Sequence, residues 1–399
     1  MENVIKTITE CIKFELCADN SGDSEQNNKI VLPDTSARFL SALYGVSKKH
    51  DIAHLVGDAL IKNGLIEDGD LKSQFQNQTL MAVYRYENLN YELGRICKIL
   101  EETKIPFIPL KGAVIRQFYP EPWMRTSCDI DIIVHEEDLE RATAILNEKL
   151  GYTYERKEKG SHDMQMYSLS GVHLELHYTL IEEGRLSKAD KILSNTWNYA
   201  EEERKGSFQK RFSDEAFYFY HIAHMTKHFV NGGCGIKPFV DIWILNHSKE
   251  IIFEKEKRNE LLLKGGLLKF AKEAEELSEV WFGEGEHDEV TQAMEKFVLS
   301  GGVYGNSVNH AAVKQVEKKG KLRHILSRIW MPYESLVFRY PNLKGKRILQ
   351  PFYEIKRWFS LFNRSVWKRS VGELKTNAAM DKETVNATEK LMDSLGLHG

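Results

Sequence analysis

Apolar residues in the first hundred positions recur at the three- and four-residue spacing of α-helices. Phe39 and Leu43 belong to one such stripe, and a longer pattern runs from about residue 71 to residue 103 without a proline. The pattern predicts a helical N-terminal region over residues 1–103, interrupted by a polar loop at Ala18–Lys29.

The periodicity changes at Ile105. The segments IPFIPL, CDIDIIV and VHLELHYTL are short and either apolar or alternating, as β-strands are, whereas EEDLERATAILNEKL has helical spacing and ends at Gly151. The order strand, helix, strand, helix and then strands predicts a compact unit of α/β or α+β type over residues 104–185.

Helical spacing returns after residue 186, in DEAFYFYHIAHMTKHFV, in IKPFVDIWILNHS and in Glu254–Phe282, and the glycine-rich LSGGVYGNS is typical of a loop. We predict a helical domain over residues 186–310 and a basic helical region over residues 311–399 that ends in a polar, mobile tail. The expected fold class is α+β, a small mixed-sheet unit flanked by mainly α-helical N-terminal and C-terminal regions.

The composition is that of an ordinary globular protein, with 42% hydrophobic and 28% charged residues in a chain of 399. No run approaches the roughly 18 to 20 apolar residues of a membrane span, and the N-terminal stretch does not look like a secretory signal. The five cysteines are scattered without C-x-x-C spacing, which argues against a disulfide framework or a cysteine zinc site. These features predict a cytoplasmic protein with no membrane partner.

Charge is unevenly distributed, although the net value is only −3. Residues 314–370 contain 15 Lys or Arg and three Glu, so their net charge is +12 and that of the rest of the chain is −15. With its aromatic residues, the tract Trp330–Trp367 suits nucleic-acid binding, but amphipathic helices with Lys and Arg on a solvated face explain it more simply. Nucleic acid is therefore a partner that we do not favour, and the oligomeric state stays open.

Two aspartates interrupt the apolar strand CDIDIIV. Successive side chains of a strand point to opposite faces, so Asp129 and Asp131 share one face, and Ile130 and Ile132 lie on the other. The same alternation puts Glu175 on one face of its strand together with His173 and His177. If the two strands are neighbours, three carboxylates converge.

Such a cluster is costly to bury unless a cation neutralises it, and carboxylate oxygens suit Mg²⁺ or Mn²⁺. A pair of such ions aligns the attacking and leaving oxygens of a phosphoryl transfer. The sequence therefore predicts a metal site made of Asp129, Asp131 and Glu175.

This arrangement resembles the nucleotidyltransferase superfamily that includes DNA polymerase beta and kanamycin nucleotidyltransferase, and more narrowly the bacterial family of uncharacterised nucleotidyltransferases. The narrower pattern combines Leu-Lys-Gly, Tyr-Pro, an arginine and Asp-x-Asp. This chain supplies it with Leu110, Lys111, Gly112, Tyr119, Pro120, Arg125, Asp129 and Asp131. The similarity is most specific over Ile105–Leu180 and implies a nucleotidyltransferase-fold catalytic domain over residues 104–185.

The resemblance implies that Asp129 and Asp131 ligate Mg²⁺ (or Mn²⁺), and that Glu175 ligates the catalytic metal and assists deprotonation of an acceptor hydroxyl. It also implies an NTP as substrate. The wider superfamily has Gly-Ser or Gly-Gly where this chain has Lys111-Gly112. We expect Gly112 to allow close backbone approach and Lys111 to bring positive charge to a polyphosphate.

Two nearby positions have alternative interpretations. Arg125 either clamps a phosphate bidentately or forms a salt bridge that positions its loop. His177 either contacts the nucleotide or orients a carboxylate. A further alternative is a zinc site made of His173, Glu175 and His177.

His221, His224 and His228 lie on one side of a predicted helix. They suit either a metal site or hydrogen-bonded histidines that face an interdomain cleft, and the interleaved core-like aromatic residues favour the second. By the resemblance, His228 is expected to line the nucleotide side of this cleft with Lys227, Lys237 and Asp241.

The sequence thus predicts an enzyme that moves an NMP from an NTP to a hydroxyl of a small molecule, a protein or RNA and releases pyrophosphate. Two other classes stay open: a non-catalytic nucleotide- or RNA-binding module that retains the fold, and a structural or interaction protein built on the helices. The acceptor and the base of the NTP are not set by the sequence.

Overall fold

The computed structural model describes residues 1–17, 29–154, 162–181, 186–317, 340–359 and 381–397, together with residues 330, 331, 333, 336 and 337. The helices of these residues are α1 (Glu2–Cys17), α2 (Ala37–Lys49), α3 (Ala53–Lys62), α4 (Asp70–Glu102), α5 (Gly112–Ile115), α6 (Leu139–Leu150), α7 (Ser187–Leu193), α8 (Asp214–Val230), α9 (Lys237–His247), α10 (Lys255–Lys264), α11 (Leu268–Phe282), α12 (Glu289–Ser300), α13 (Ser307–Glu317), α14 (Gln350–Phe359) and α15 (Lys382–Ser394). The strands are β1 (Phe107–Pro109), β2 (Asp129–Val134), β3 (Thr153–Tyr154), β4 (Asp163–Tyr167), β5 (His173–His177), β6 (Ala200–Glu202) and β7 (Lys210–Phe212).

The N-terminal helices predicted from the apolar stripes are confirmed. Phe39 and Leu43 are buried on one side of α2, which starts where the Ser36 side chain accepts a hydrogen bond from the Phe39 amide. The long proline-free pattern is the single helix α4, within one residue of the predicted bounds. The predicted loop at Ala18–Lys29 lies almost entirely outside the described residues.

A five-stranded sheet of order β1-β2-β5-β4-β3 forms the centre of the middle region. β2 pairs with β5 in parallel and with β1 antiparallel, so the sheet is mixed, as expected for the predicted α+β class. The three predicted strands are β1, β2 and β5. The strand β4, which pairs antiparallel with β5, was not predicted separately, and its segment DMQMY has too few β-branched residues to signal a strand.

The register of the parallel pair decides which side chains meet. Asp129 is opposite His173, and Asp131 is opposite Glu175. On the other face, the apolar side chains of β2 and β5 are buried against α4 and α6 in a core that includes Leu89, Ile96, Ile130, Ile132, Leu146, Leu174 and Leu176. The two-residue alternation predicted for these strands is confirmed: one face is core and the other carries the carboxylates.

Helices α8 and α9 match their predicted segments, and the helical segment predicted at Glu254–Phe282 consists of α10 and α11. The break between α10 and α11 falls at Gly265–Gly266, where Gly266 has φ of 71°. A left-handed residue of this kind ends a helix and is favoured by glycine. The short β6–β7 hairpin was also not predicted, because each strand has only three residues.

The C-terminal residues depart from the prediction of a mobile tail. Residues 382–394 form α15, and Leu391, Met392 and Leu395 are buried in the main helical core. Apolar residues at three- and four-residue spacing hold this helix even in a polar stretch. In α14 the buried pair is Glu354 and Arg357, at 2.7 Å. About half of residues 314–370, with nine of their fifteen Lys and Arg, lies outside the described residues, so the prediction about nucleic acid stays a prediction.

The structure confirms the α+β class with helical regions on both sides of a small mixed sheet. The domain boundaries at residues 103, 185 and 310 stay a prediction. Within the described ranges no helix combines the length and apolar character needed to span a bilayer.

Candidate active site

A cavity of about 400 Å³ lies between the polar face of the sheet and helices α8 and α9. The three predicted carboxylates, Asp129, Asp131 and Glu175, all line it. Four cationic side chains line it as well: Lys111, Arg125, Lys227 and Lys237. The sheet therefore supplies the acidic wall of the cavity, and α8 supplies much of the opposite wall.

The carboxylates form two overlapping groups that share Glu175. Donor atoms of Asp129, His173 and Glu175 lie within 4.8 Å of one another, and so do donor atoms of Asp131, Glu175 and His177. Both groups follow from the β2–β5 register, because residues opposite each other in a sheet point to the same side. His173 and His177 fall in different groups, so the described residues do not form the alternative zinc site of two histidines and Glu175.

Asp131 is the most tightly held carboxylate of the cluster. Its Oδ1 accepts a hydrogen bond from Lys111 Nζ at 2.7 Å and lies 2.9 Å from His177 Nε2. His177 also lies 3.5 Å from Glu175 Oε2 and is only 2% exposed. It is not among the residues that line the cavity, so its contacts are those of a residue that orients Asp131 and Glu175 from behind, the alternative weighed for it above.

The pKa values of the two aspartates are shifted in opposite directions. Burial, and next the charge of Asp131, raise the pKa of Asp129. Burial acts in the same direction on Asp131, but Lys111 and His177 outweigh it and hold the pKa of Asp131 well below its ordinary value. Burial opposes the charged form of His177, yet its hydrogen bonds to Asp131 and Glu175 raise its pKa. Asp131 is therefore ionised, whereas burial and the charge of Asp131 destabilise the ionised form of Asp129.

Lys111 adopts a backbone conformation that is rare for a residue with a side chain. Its φ and ψ are 47° and −123°, directly before the short helix α5. Such strain persists only where the surroundings impose it, and it is concentrated at functional sites. Here it turns the lysine toward Asp131 while Gly112 passes close to the Asp-x-Asp loop.

Gly112 is a glycine because of Ser127. A Cβ at position 112 would overlap Ser127 Oγ, which itself accepts a hydrogen bond from Arg116 at 2.9 Å. The close approach seen at Gly112 is therefore to this loop of the chain itself, and the expected approach to a polyphosphate stays a prediction. Gly112 and Ser127 both line the cavity, so this contact forms part of its wall.

We expect Gly112→Ala to destabilise the protein by about 1–3 kcal/mol, since an added methyl group is forced into a packed contact. Removing the Ser127 hydroxyl should relieve most of the clash, because the nearest remaining atom of that side chain would be its Cβ, 3.2 Å from a Cβ at position 112. The double variant Gly112→Ala/Ser127→Ala is thus expected to recover much of the loss in urea unfolding. Gly45→Ala, at a helical glycine with open space around it, is the control and should not destabilise. Equal losses in the single and double variants would contradict this account.

Arg125 and Asp241 form a buried bidentate ion pair. Arg125 Nε and Nη2 donate to the two carboxylate oxygens of Asp241 at 2.7 and 2.8 Å, and Tyr119 donates to the same carboxylate at 2.6 Å. Next to this pair, Lys237 bonds to both Asp51 and Thr126. We call these residues, Asp51, Tyr119, Arg125, Thr126, Lys237 and Asp241, the buried junction.

The buried junction connects α9 and the α2–α3 turn to the loop that leads into Asp129. Two roles were considered for Arg125. Its contacts match the second, a salt bridge that positions this loop. Lys237 and Asp241 line the cavity, but their polar atoms bind other residues of the junction. Their predicted contact with nucleotide stays a prediction.

The histidines of α8 differ in their surroundings. His221 donates to the Pro238 carbonyl at 3.3 Å, while His224 and His228 lie 3.2 Å apart through their Nε2 atoms, and all three line the cavity. Burial, and next Lys227, lower the pKa of His228 to about 4, so it is neutral at physiological pH. The contacts of His221 match the hydrogen-bonded histidine weighed above, and His228 faces the cavity as expected.

These features agree with the family to which the sequence is similar. The profile of a family described as uncharacterised nucleotidyltransferase matches residues 38–283, which is more than half of the chain. The chain belongs to this family of nucleotidyltransferases. The match extends from α2 through α11 and so includes the sheet and the helices that close the cavity. Neither the curated proteins nor the solved structures gave a match.

Several residues that line the cavity of this nucleotidyltransferase were not predicted from the sequence to form the site, and Asp51, Ser127 and Tyr304 are three of them. Asp51 follows a helical stripe, Ser127 sits beside the Asp-x-Asp motif, and Tyr304 is in a loop beyond the family match. Only Ser127 had a local signal, its position two residues before Asp129. The other two reach the cavity through tertiary packing, which sequence spacing does not encode.

Proposed function

We propose that the protein is a metal-dependent nucleotidyltransferase that transfers an NMP from an NTP to an acceptor hydroxyl and releases pyrophosphate. One observation carries the proposal: the parallel register of β2 and β5 sets Asp131 beside Glu175, with Asp129 on the same face, in a cavity that is also lined by Lys111 and Lys227. Membership of the nucleotidyltransferase family supports it.

The donor atoms fit Mg²⁺ or Mn²⁺. Asp129, Asp131 and Glu175 offer hard carboxylate oxygens, and the contacts of Asp131 with Lys111 and His177 both use Oδ1 and not Oδ2. When bound there, the ion would neutralise the carboxylates and stabilise charge on the phosphate. His177 would keep Asp131 oriented for this role.

The residues of the chain would supply the rest of the chemistry. Lys111 and Lys227 neutralise the negative charge that builds up on the departing phosphates. The acceptor oxygen forms a bond to the α-phosphorus as the bond from that phosphorus to the bridging oxygen breaks, and pyrophosphate leaves with the electron pair. Glu175, with 21% of its side chain exposed, takes up the hydroxyl proton directly or through water.

The test combines binding and turnover. We expect calorimetry to detect binding of at least one of the four NTPs with Mg²⁺ and much weaker binding without it. With labelled NTP, Mg²⁺ and a cell extract, label should move to an acceptor while pyrophosphate is released. Absence of Mg²⁺-dependent NTP binding would overturn the proposal.

A second candidate, a nucleotide-binding module without catalysis, is favoured by the Lys111–Asp131 ion pair. An ammonium group 2.7 Å from Asp131 already neutralises part of the acidic cluster without a metal. This candidate predicts that NTP affinity is independent of Mg²⁺ and that no label is transferred. The binding measurement therefore separates the two candidates even before an acceptor is known.

Lys227 gives the proposed site a pH dependence. Burial, and next the charge of Lys111, lower the pKa of Lys227 to about 8. Lys227 is thus charged below about pH 8 and neutral above it, so NTP binding should weaken between about pH 7 and about pH 9. Calorimetry of NTP and Mg²⁺ at several pH values measures this.

Two variants isolate the contribution of Lys227. Lys227→Arg keeps its charge over this range, so affinity should stay high and lose its pH dependence. Lys227→Met should bind NTP about tenfold more weakly at pH 7 and should also show a flat profile. A wild-type profile in Lys227→Met would rule out this lysine as the titrating group.

A further inference from the structure

A glycine-rich loop beyond the family match forms part of the mouth of the cavity. The loop spans residues 301–305, between α12 and α13, and the match ends at residue 283. Its Tyr304 side chain lines the cavity and is 80% exposed. A side chain this exposed adds little to packing, although its position is closely fixed.

Backbone contacts with two other segments hold the loop. A Cβ at Gly305 would overlap the Gly232 carbonyl, and a Cβ at Gly302 would lie 2.8 Å from the Lys49 carbonyl. Val303 donates its amide to the same carbonyl of Lys49 at 3.3 Å. Only glycines permit this close packing, which places Tyr304 between the end of α2 and the Asp-x-Asp loop.

A second groove opens on the far side of Tyr304. It has a volume of about 410 Å³ and is lined by Lys48, Lys49, Asp51, Cys128 and residues 302–305. It shares Asp51, Cys128, Val303 and Tyr304 with the main cavity, so the two spaces meet at this tyrosine. We call this space the side groove.

The acidic cluster has two chemically different ends. At one end Lys111 contacts Asp131 at 2.7 Å, and Lys227 lines the same cavity. At the other end Cys128, the neighbour of Asp129 in sequence, lines both the main cavity and the side groove. The lysine end suits phosphates, whereas the Asp129 end leads to Tyr304.

In-line transfer requires the attacking and leaving oxygens to lie on opposite sides of the α-phosphorus. If the departing pyrophosphate lies at the lysine end, the attacking hydroxyl has to arrive from the Asp129 end. We propose that the acceptor enters through the side groove and that Tyr304 stacks on a planar ring of that acceptor. This inference rests on the proposed function.

The side groove also indicates the chemical class of the acceptor. Lys48 and Lys49 are exposed, while the nearby Asp51 carboxylate is bound by Lys237 and Thr126. A groove with two lysines and a tyrosine favours an anionic, ring-bearing hydroxyl compound, that is, a nucleotide, either free or at the end of RNA. It disfavours polycationic acceptors such as aminoglycosides.

The test measures acceptor binding to the full chain with Mg²⁺ and a non-hydrolysable NTP analogue bound. The probes are a fluorescent oligoribonucleotide, AMP as competitor, and kanamycin as a cationic comparison. Tyr304→Ala should weaken binding of the nucleotide probe about tenfold or more, whereas Tyr304→Phe keeps the ring and should stay within about twofold of the wild type. Tyr84→Ala, at a tyrosine of α4 that is 59% exposed, is the matched control and should change nothing.

Binding of the oligoribonucleotide alone supports RNA as the source of the acceptor, and competition by AMP supports a free nucleotide. The inference is overturned if neither probe binds, if kanamycin binds better than both, or if Tyr304→Ala has no effect. It is also overturned if Tyr304→Ala weakens the NTP analogue and not the probe. In each of these cases Mg²⁺-dependent NTP binding by the wild type is retained, whereas failure of the proposed function removes that binding itself.

Discussion

Asp129→Asn is expected to lower metal-dependent nucleotidyl transfer by about a thousandfold while leaving the protein as stable as the wild type, or more so. The loss of activity follows from removing one of the three proposed metal ligands. The gain in stability follows from the pKa of Asp129, which burial and then Asp131 raise above its ordinary value. At neutral pH its charged form is therefore a cost to the folded state, and the stability that this group contributes at low pH is lost as the pH rises through its folded pKa.

The measurement pairs pyrophosphate release with thermal unfolding of the same samples. Glu140→Gln, which removes an exposed carboxylate of α6 outside the cavity, is the control and should change neither quantity. Asp131→Asn is a poorer test of chemistry, because it leaves the buried Lys111 ammonium without its partner and so destabilises the fold as well. Undiminished turnover in Asp129→Asn would exclude this aspartate from the reaction.

Asp241→Ala is expected to reduce the free energy of unfolding by about 3–5 kcal/mol, because it leaves the buried Arg125 charge unpaired. The Asp241 side chain is fully buried, and it accepts hydrogen bonds from Arg125 and Tyr119. Arg125→Ala should cost a similar amount, and the double variant should lose less than the sum of the two. Because the pair anchors the loop before Asp129, both single variants should also lose activity although neither residue needs to touch the substrate.

Urea unfolding of the two single variants and the double variant gives the coupling energy between Arg125 and Asp241. The matched control is the exposed pair of Arg211 and Glu201, where the two atoms lie 3.1 Å apart and each side chain is about half exposed. Glu201→Ala should cost about 1 kcal/mol or less. If Asp241→Ala costs no more than this control, the buried junction does not hold the loop.

Much of the fold could be read from local patterns. The helices α4, α6, α8 and α9 and the strands β1, β2 and β5 were all predicted, because each has a clear apolar period or is bounded by glycine or proline. The helical segment predicted over Glu254–Phe282 is confirmed, but the break at Gly265–Gly266 was not predicted, since the apolar period continues across it. The mobile C-terminal tail was wrong for residues 382–394, since burial of Leu391 and Met392 depends on a surface formed elsewhere in the chain.

The candidate site also has features that local sequence patterns predicted and features that they did not. The alternation of CDIDIIV and VHLELHYTL set which faces carry Asp129, Asp131 and Glu175, and the resemblance pointed to the same residues. That the two strands are neighbours was a condition stated from the sequence and met by the structure, whereas their register was found only in the structure. The partners of those residues were not available to sequence reasoning: the Lys111 contact with Asp131, and the commitment of Arg125 to Asp241, 116 positions away.

By itself, the sequence determined which residues are acidic, which strand face they occupy and which helices flank them, because side-chain direction along a strand or helix depends only on local backbone geometry. The tertiary structure alone decided that a lysine neutralises Asp131, that a buried ion pair anchors the loop to α9, and that Tyr304 reaches the cavity mouth. These contacts join residues far apart in the chain, and chain spacing carries no information about such distances until the packing of the whole molecule brings the segments together.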